Sequence, residues 1–254
     1  PMSSPEITLT RKNNISTIEF YHPKGNSFPS SQLKRLTEVI NEAGNDTESR
    51  VIVLKSRGNA AFCAGASFDE LLEIKDYAEG KEFFMGFARV INAMRLCPKL
   101  TIVRVQGKVV GGGVGLAAAA DYTLAAKNAS VKLSELALGI GPFVVGPAVE
   151  RKIGIAAFGA LAIDARNWRG AKWARQKGLY MNIYDSITGL DEAVEKLADD
   201  LSESSPEAMS ALKRVLWQGT DHWDKLLEER AEISGRLVLS EFTRNFIRDF
   251  KLKK

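Results

Sequence analysis

Two features of the sequence could carry chemistry: the run G-G-G-V-G-L-A-A-A from Gly111 to Ala119, and the lone carboxylate of Glu135 after it. Consecutive glycines let the backbone approach a ligand closely, and the alanines can begin a closely packed helix. Unpaired N–H groups at a helix N-terminus favour an anion, or a carbonyl oxygen that becomes one. We therefore expect a site in which backbone donors hold an oxygen and a carboxylate lies nearby.

Other sites that such a glycine run could form are disfavoured by spacing. G-V-G-L-A-A from Gly113 also matches a dinucleotide fingerprint, but the strand-like run at 122–126 follows within two turns of Gly115, too soon for that fold's helix. The sequence contains no G-x-S-x-G motif and no P-loop lysine, and its histidines, His22 and His222, are badly placed for a catalytic triad. A nucleotide-binding or serine-hydrolase site is therefore not expected.

Composition narrows the class of protein further. The 254 residues are 45% hydrophobic and 26% charged, which is typical of a globular chain with a sizeable core. Neither the histidines nor Cys63 and Cys97 have metal-ligand spacing, so we expect no metal site. The net charge of +4 fits a solvated basic tail or an anionic cofactor better than nucleic acid, which is not expected as a partner. Without a membrane-spanning run or a leader, we expect a cytoplasmic protein and no membrane partner.

The hydrophobic pattern indicates an α/β core followed by helices. It predicts strands at 7–11, 15–20, 51–54, 101–105, 122–126, 130–133 and 181–184, and helices from 31 to 43 and at 68–74, 77–96, 148–163 and 169–177. From residue 191 onward the pattern is helical. Strands and helices that alternate first, with helices alone afterwards, are typical of an α/β fold with a helical C-terminal part.

Several motifs, in order, resemble one family. F-C-A-G-A-S from Phe62 resembles the F-x-A-G-A-D of the crotonase superfamily, and G-K-V-V-G-G-G-V-G-L-A from Gly107 resembles its G-x-A-x-G-G-G-x-E-L-A. Ser134 and Glu135 with Gly139 resemble its P-E-x-x-x-G, and the S-P at 205–206 resembles its late S-P-x-A helix. Over nearly its full length the chain is similar to the enoyl-CoA hydratase/isomerase family of this superfamily.

The resemblance implies a fold and an assembly. It implies a crotonase-like spiral of ββα turns over residues 1–188 and a helical C-terminal trimerisation region over residues 189–254. It implies a homotrimer or a dimer of trimers. The implied substrate is an acyl-CoA thioester, whose coenzyme A is part of the substrate, so no separate cofactor is expected.

The resemblance also implies the roles of individual residues. The backbone N–H groups of Ala66 and Gly112 would form an oxyanion hole for the thioester, and preorganised donors of this kind stabilise charge that develops on the oxygen. Glu135 would move a proton. The other expected substrate contacts are Phe62, Ala64, Gly111, Gly115, Phe143 and Val144, with Lys251 from a neighbouring subunit's basic helix near the phosphates.

Departures from the family motifs bear on the reaction. Family hydratases carry a glutamate where this chain has Gly115, so one carboxylate, Glu135, remains. Burial among neighbouring leucines is expected to raise its pKa toward neutral. Ser67 replaces the usual aspartate, and the F-V-V-G-P-A-V that begins at Phe143 replaces a glycine-rich segment, so Phe143 and Val144 are expected to narrow the acyl pocket.

A single carboxylate can shuttle one proton between two carbons, so isomerisation of a 3-enoyl-CoA to a 2-enoyl-CoA is the preferred prediction. Three alternatives stay open. The first is hydration of a 2-enoyl-CoA with water positioned by Glu135 alone, and the second is decarboxylation of a branched unsaturated thioester. The third is a non-catalytic protein that binds acyl-CoA or RNA through its basic face.

Overall fold

The structure is a computed structural model that describes residues 3–253. The strands are β1 (Glu6–Lys12), β2 (Ile15–Tyr21), β3 (Val51–Ser56), β4 (Leu100–Val105), β5 (Val109–Val110), β6 (Tyr122–Ala126), β7 (Val131–Lys132) and β8 (Asn182–Tyr184). The helices are α1 (Ser30–Asn45), α2 (Phe68–Glu73), α3 (Tyr77–Leu96), α4 (Gly112–Ala119), α5 (Glu135–Leu138), α6 (Gly146–Ile163), α7 (Ala171–Lys177), α8 (Ile187–Ser202), α9 (Pro206–Leu216), α10 (Trp223–Leu237) and α11 (Glu241–Leu252).

The strands form one large sheet and one small sheet. The large sheet has the order β1-β2-β3-β4-β6-β8, and the small sheet pairs β5 with β7. Strands β1 and β2 are antiparallel, whereas the other pairs are parallel. Asn13 and Asn14 turn the predicted hairpin with φ angles of 55° and 63°. Asparagine tolerates this left-handed conformation, so a two-residue turn can join the strands.

Successive turns of the chain repeat one unit: a strand of the large sheet, a short extended segment of the second layer, and a helix. The second strand is β5 in one turn and β7 in the next, and in the preceding turn Cys63 takes the same place by bridging to Val109. Val109 pairs in turn with Val131, which bridges to Arg169. This repetition confirms the predicted spiral of ββα turns.

Apolar side chains cover both faces of the large sheet. On one face, residues from the sheet pack with the buried sides of α1 and α3, including Leu36 and Phe87. On the other face, Val53 and Ile102 form a separate cluster with Leu190 and other residues of α8. The first helix of the predicted C-terminal region is therefore a layer of the core. The predicted role of residues 189–254 in trimerisation stays a prediction.

The last two helices lie against the part of the chain that carries the motifs. Helix α10 packs along α3, and α11 contacts α2 and α5. The approach of α10 to α3 is close: a Cβ built on Gly80 would lie 2.6 Å from the carbonyl oxygen of Gly235. Among the helices of residues 3–253, none is long and apolar enough to cross a membrane.

Candidate active site

The spiral brings three motif segments to equivalent places. Cys63, Val109 and Val131 are bridged to one another across consecutive turns. Ala66 and Gly112 each follow their paired residue by three positions, and Glu135 follows Val131 by four. Because each turn leaves the second layer at the same end, these residues come together although the sequence separates Ala66 from Glu135 by 69 positions.

The amide of Ala66 is left free by the way its loop is held. The Phe28 N–H donates to the carbonyl of Gly65 at 2.8 Å, and the Ser67 N–H donates to the carbonyl of Phe28 at 3.2 Å. In this parallel bridge the N–H of the residue between them points away from Phe28. Within residues 3–253 the Ala66 N–H has no hydrogen-bond acceptor.

The second amide belongs to Gly112, the first residue of α4. The N–H groups in the first turn of a helix have no partner within the helix, and no other described residue accepts from Gly112. A Cβ built on Gly65 would lie 3.5 Å from the Gly112 nitrogen and 3.0 Å from the Val110 carbonyl oxygen. The two loops therefore meet only because residue 65 has no side chain, and two unpaired donors border the same space.

Glu135 begins α5, and its carboxylate lies beside the glycine turn. A Cβ built on Gly111 would lie 3.1 Å from Glu135 Oε1, and Gly111 has a φ of 56°, which favours glycine. Oε1 is shielded from solvent and has no hydrogen-bond partner in the described chain. This desolvation raises the pKa of Glu135 to about 7, against the weaker opposite effect of the N–H groups of Glu135 and Ser134.

Glu135, Ala66 and Gly112 all line a cavity of about 70 Å³. Its wall is mostly apolar and includes Leu71, Phe84, Phe87, Leu138, Phe143 and Val144. The predicted contact residues Ala64 and Gly111 also line it. The polar side chains in the wall are Ser134, Glu135 and Ser234. Phe143 and Val144 thus lie in the small, apolar cavity that contains the carboxylate.

Two residues that the sequence analysis expected to contact substrate are elsewhere. Gly115 lies inside α4, and the side chain of Val145 occupies the space that a side chain at position 115 would need. A Cβ built on Gly115 would lie 2.6 Å from Val145 Cγ1. Phe62 is fully buried and packs edge-on against Phe20, with ring centroids 5.5 Å apart. Neither residue lines the cavity or the adjoining groove, because the hydrophobic core takes up both positions.

A larger groove of about 870 Å³ continues from the cavity toward the surface. The cavity and the groove share Ala64, Ala66 and Ser134 in their walls. Four basic side chains line the groove, those of Lys24, Lys132, Arg166 and Lys251. An anionic ligand that enters the groove would therefore meet positive charge.

Lys251 lines the groove of its own chain, which differs from the expected contact with a neighbouring subunit. It forms an ion pair with Asp69, to which Lys24 is also paired. Hydrogen bonds from Lys24 and then Lys251 hold the pKa of Asp69 down at about 2. Because α11 also stacks Phe250 on Phe68, with ring centroids 5.1 Å apart, this helix forms one wall of the groove.

Lys24 and Ser234 are two of the residues in this region that were not predicted from the sequence, as are Lys132 and Arg166 of the groove. Lys24 reaches the groove from the H-P-K-G-N turn that precedes α1, and Ser234 reaches the cavity from α10. Neither belongs to a motif. The one local signal for Lys24 is its place in a glycine- and proline-containing turn, whereas the place of Ser234 depends on how α10 packs against α3.

Comparison with known proteins gives a consistent picture. The family model described as enoyl-CoA hydratase/isomerase matches residues 10–243. The short-chain-enoyl-CoA hydratase of Clostridium acetobutylicum is 28% identical over 220 residues, which are 86% of this chain and 83% of that protein. The carnitinyl-CoA dehydratase of Escherichia coli K12 is 31% identical over 214 residues, 84% of this chain and 80% of that protein. The crystal structure of an enoyl-CoA hydratase from Bacillus halodurans has a TM-score of 0.88 at 22% identity and covers 96% of this chain and 99% of its own.

Proposed function

Because this chain belongs to the enoyl-CoA hydratase/isomerase family, we propose that it moves the double bond of a short-chain 3-enoyl-CoA to the 2-position. The observation that carries the proposal is the single carboxylate of the cavity. Of the described residues that line the cavity, Glu135 is the one with an ionisable side chain. Val145 fills the space beside Gly115, where family hydratases carry a second glutamate.

In the proposed reaction Glu135 transfers one proton, and two backbone N–H groups stabilise the negative charge that develops. Glu135 removes a proton from C2 of the substrate, and the electron pair of that C–H bond delocalises over the thioester and the C3–C4 double bond. The N–H groups of Ala66 and Gly112 stabilise the negative charge on the thioester oxygen. Glu135 then returns the proton to C4, which leaves the double bond between C2 and C3. Nothing is oxidised and no water is added, so the reaction requires no cofactor beyond the coenzyme A of the substrate.

The acidity of Glu135 supports this role. A group that both takes and returns a proton works best when its pKa is close to the working pH. Burial raises the pKa of Glu135 to about 7, so both of its protonation states are accessible near neutral pH. An ordinary exposed glutamate would be a poorer base and would rarely be protonated.

The size of the cavity supports a short acyl group. Its volume of about 70 Å³ is less than half of the roughly 150 Å³ of an engineered cavity that holds benzene. A relative with 28% identity is named for short-chain substrates. In this proposal the coenzyme A lies in the adjoining groove, where Lys24, Lys132, Arg166 and Lys251 face its phosphates.

Hydration is the second candidate, and the names of the relatives favour it. Both relatives compared above are called a hydratase or a dehydratase. In that reaction Glu135 would position a water molecule and deliver a proton without the help of a second carboxylate. Since hydration adds a water to the product and isomerisation does not, product analysis separates the two.

We also propose that the chain assembles as a homotrimer or a dimer of trimers. Exposed apolar side chains on two adjacent helices support this: Ile155 and Ile163 of α6 are 67% and 78% exposed, and Leu212 and Val215 of α9 are 50% and 58% exposed. Arg151 of α6 donates to the carbonyl of Leu216 at the end of α9, which holds the two helices together. Light scattering after size-exclusion chromatography should give three or six chain masses, and Ile163→Asp should lower this number.

The test of the reaction uses two substrates and two variants. The protein is incubated with trans-3-pentenoyl-CoA and, separately, with trans-2-pentenoyl-CoA, and the products are identified by mass and proton NMR. Conversion of the first to its 2-enoyl isomer without gain of water supports the proposal. The activity should disappear in Glu135→Gln and persist in Glu150→Gln, which makes the same change at an exposed position of α6.

Other outcomes would overturn the proposal in distinct ways. Gain of water by the 2-enoyl substrate, at a rate comparable to isomerisation, would establish a hydratase. Unchanged turnover in Glu135→Gln would remove Glu135 from the mechanism. If neither substrate reacts but coenzyme A esters bind, decarboxylation of a branched substrate or a non-catalytic role takes its place.

A further inference from the structure

Ser234 is a buried polar residue that the proposed reaction does not use. It lies on α10, is 1% exposed, and lines the cavity that contains Glu135. Within residues 3–253 its hydroxyl has no hydrogen-bond partner. Buried polar groups in proteins nearly always have a partner, so an unpaired hydroxyl at a cavity wall points to a ligand that completes the pair.

The position of Ser234 is fixed by the close approach of two helices. A Cβ on Gly80 of α3 would lie 2.6 Å from the Gly235 carbonyl oxygen, and a Cβ on Gly235 would lie 2.6 Å from the Lys81 nitrogen. Any side chain at either glycine would push α10 outward, and Ser234 is the residue directly before Gly235. The paired glycines therefore bring a hydroxyl into a cavity that is otherwise mostly apolar.

We propose that Ser234 is a specificity-determining residue that selects acyl groups with a neutral hydrogen-bond acceptor, such as a ketone or hydroxyl oxygen, on the acyl chain. A carboxylate does not fit this site, because no described residue lining the cavity is cationic and its one ionisable group, Glu135, also becomes negative. A fully apolar acyl group would leave the hydroxyl unpaired. The inference rests on the proposed function only in placing the acyl group of a coenzyme A ester in this cavity.

The test measures binding, so that it does not depend on turnover. The probes are 4-oxopentanoyl-CoA and 4-methylpentanoyl-CoA, which have equal numbers of non-hydrogen atoms and differ by a carbonyl oxygen in place of a methyl group. Dissociation constants are measured by titration calorimetry. We expect the protein to bind the oxo compound roughly tenfold more tightly, the value of one hydrogen bond to an otherwise unpaired buried group.

The variant Ser234→Ala should bind both probes equally, with an unchanged dissociation constant for the methyl compound. Ser210→Ala is the matched control, since Ser210 lies on α9 outside the cavity and the groove, and it should keep the tenfold preference. Thermal unfolding of both variants shows whether they are folded. Even without a variant, equal affinity of the unaltered protein for the two probes overturns the inference.

The two proposals can fail separately. If both probes bind but show no preference, or the same preference in Ser234→Ala, the role of Ser234 is wrong and the isomerase proposal stands. If the preference is found but 3-pentenoyl-CoA is not isomerised, the reaction is wrong and the role of Ser234 stands. If neither probe binds, the acyl-CoA site itself is wrong and both proposals fall.

Discussion

Val145 occupies the space that a side chain at position 115 would need. An ideal Cβ on Gly115 would lie 2.6 Å from Val145 Cγ1 and 3.0 Å from Val145 Cβ, well inside van der Waals contact. The two positions are therefore coupled: the carboxylate missing from α4 is matched by an apolar side chain from the segment before α6. Val145 itself lines the cavity, so Gly115 is separated from any ligand by the valine.

The first prediction tests this coupling. Gly115→Ala should lower the free energy of unfolding by about 1–3 kcal/mol, because the added methyl group overpacks a buried contact. Gly115→Ala combined with Val145→Ala should recover part of this loss, so that the two changes are not additive. Denaturant titration of the single and double variants gives the coupling energy.

The control for this cycle is Gly159→Ala in α6. A Cβ at Gly159 would have no atom within 4 Å among the described residues, so the change should stabilise the protein by about 0.5–1 kcal/mol through helix propensity. Additive effects of the changes at positions 115 and 145 would show that the two residues do not share the space.

The second prediction concerns the pH dependence of the reaction. In the proposed isomerisation Glu135 must be ionised in the free enzyme to remove a proton, and burial raises its pKa to about 7. The value of kcat/KM for trans-3-pentenoyl-CoA should therefore rise about tenfold per pH unit below pH 7 and level off above it. Glu150→Gln should leave this profile unchanged. A midpoint near pH 4.5, the ordinary pKa of a glutamate, would contradict the desolvation of the carboxylate.

The third prediction concerns stability. Burial raises the pKa of Glu135 from 4.5 to about 7, so between these values the folded protein binds more protons than the unfolded chain. The contribution of Glu135 to stability is therefore lost as the pH rises through this window. Glu135→Gln removes the ionisation, so it should be more stable than the unaltered protein at pH 8, by up to about 3 kcal/mol.

Denaturant titrations at pH 4 and pH 8 test this difference, which should be close to zero at the lower pH. If Glu135→Gln changes the free energy of unfolding equally at pH 4 and pH 8, the carboxylate of Glu135 does not ionise in a desolvated environment. If Glu135→Gln is more stable but inactive, the carboxylate of Glu135 is required for the reaction although its ionisation lowers the stability of the fold.

Local sequence was sufficient for the backbone part of the site. The small residues around Ala66 and the glycines at the start of α4 are required by the close contact of two loops, so the proposed chemistry and the backbone constraint occur at the same positions. The strand β7 and the hairpin could be predicted from β-branched runs and turn residues. The two-residue strand β5 and the four-residue helix α5 were not, because such short elements exist only through their neighbours.

Side chains that reach the site through tertiary packing could not be predicted. The motif comparison assigns position 115 to the site, but it does not show that Val145 fills the adjoining space. Lys251 was expected to serve another subunit, and it lies on its own chain's groove because α11 folds back over α2. Ser234 carries no local signal, since its position follows from the fit of Gly80 to Gly235.

The fourth prediction tests the role of the groove in binding coenzyme A. Lys251→Ala should raise KM for the acyl-CoA about threefold with little change in kcat, since it removes one partly exposed charge from the groove in which we propose that the phosphates bind. The difference should shrink at about 1 M salt, where charges are screened over roughly 3 Å. Lys253→Ala, at an exposed position two residues further on, should not change KM. An equal effect of both substitutions would indicate a general effect of net charge.

The fifth prediction concerns the helix contact that carries Ser234 into the cavity. Gly235→Ala places a Cβ 2.6 Å from the Lys81 nitrogen and 3.0 Å from the Gly80 carbonyl carbon, both backbone atoms that cannot rotate away. Because α10 must then move away from α3, the free energy of unfolding should fall by about 1–3 kcal/mol or more, although alanine is the better helix former. The preference for 4-oxopentanoyl-CoA over 4-methylpentanoyl-CoA should weaken in the same variant. Stability and preference both unchanged would show that the close approach of α10 does not position Ser234.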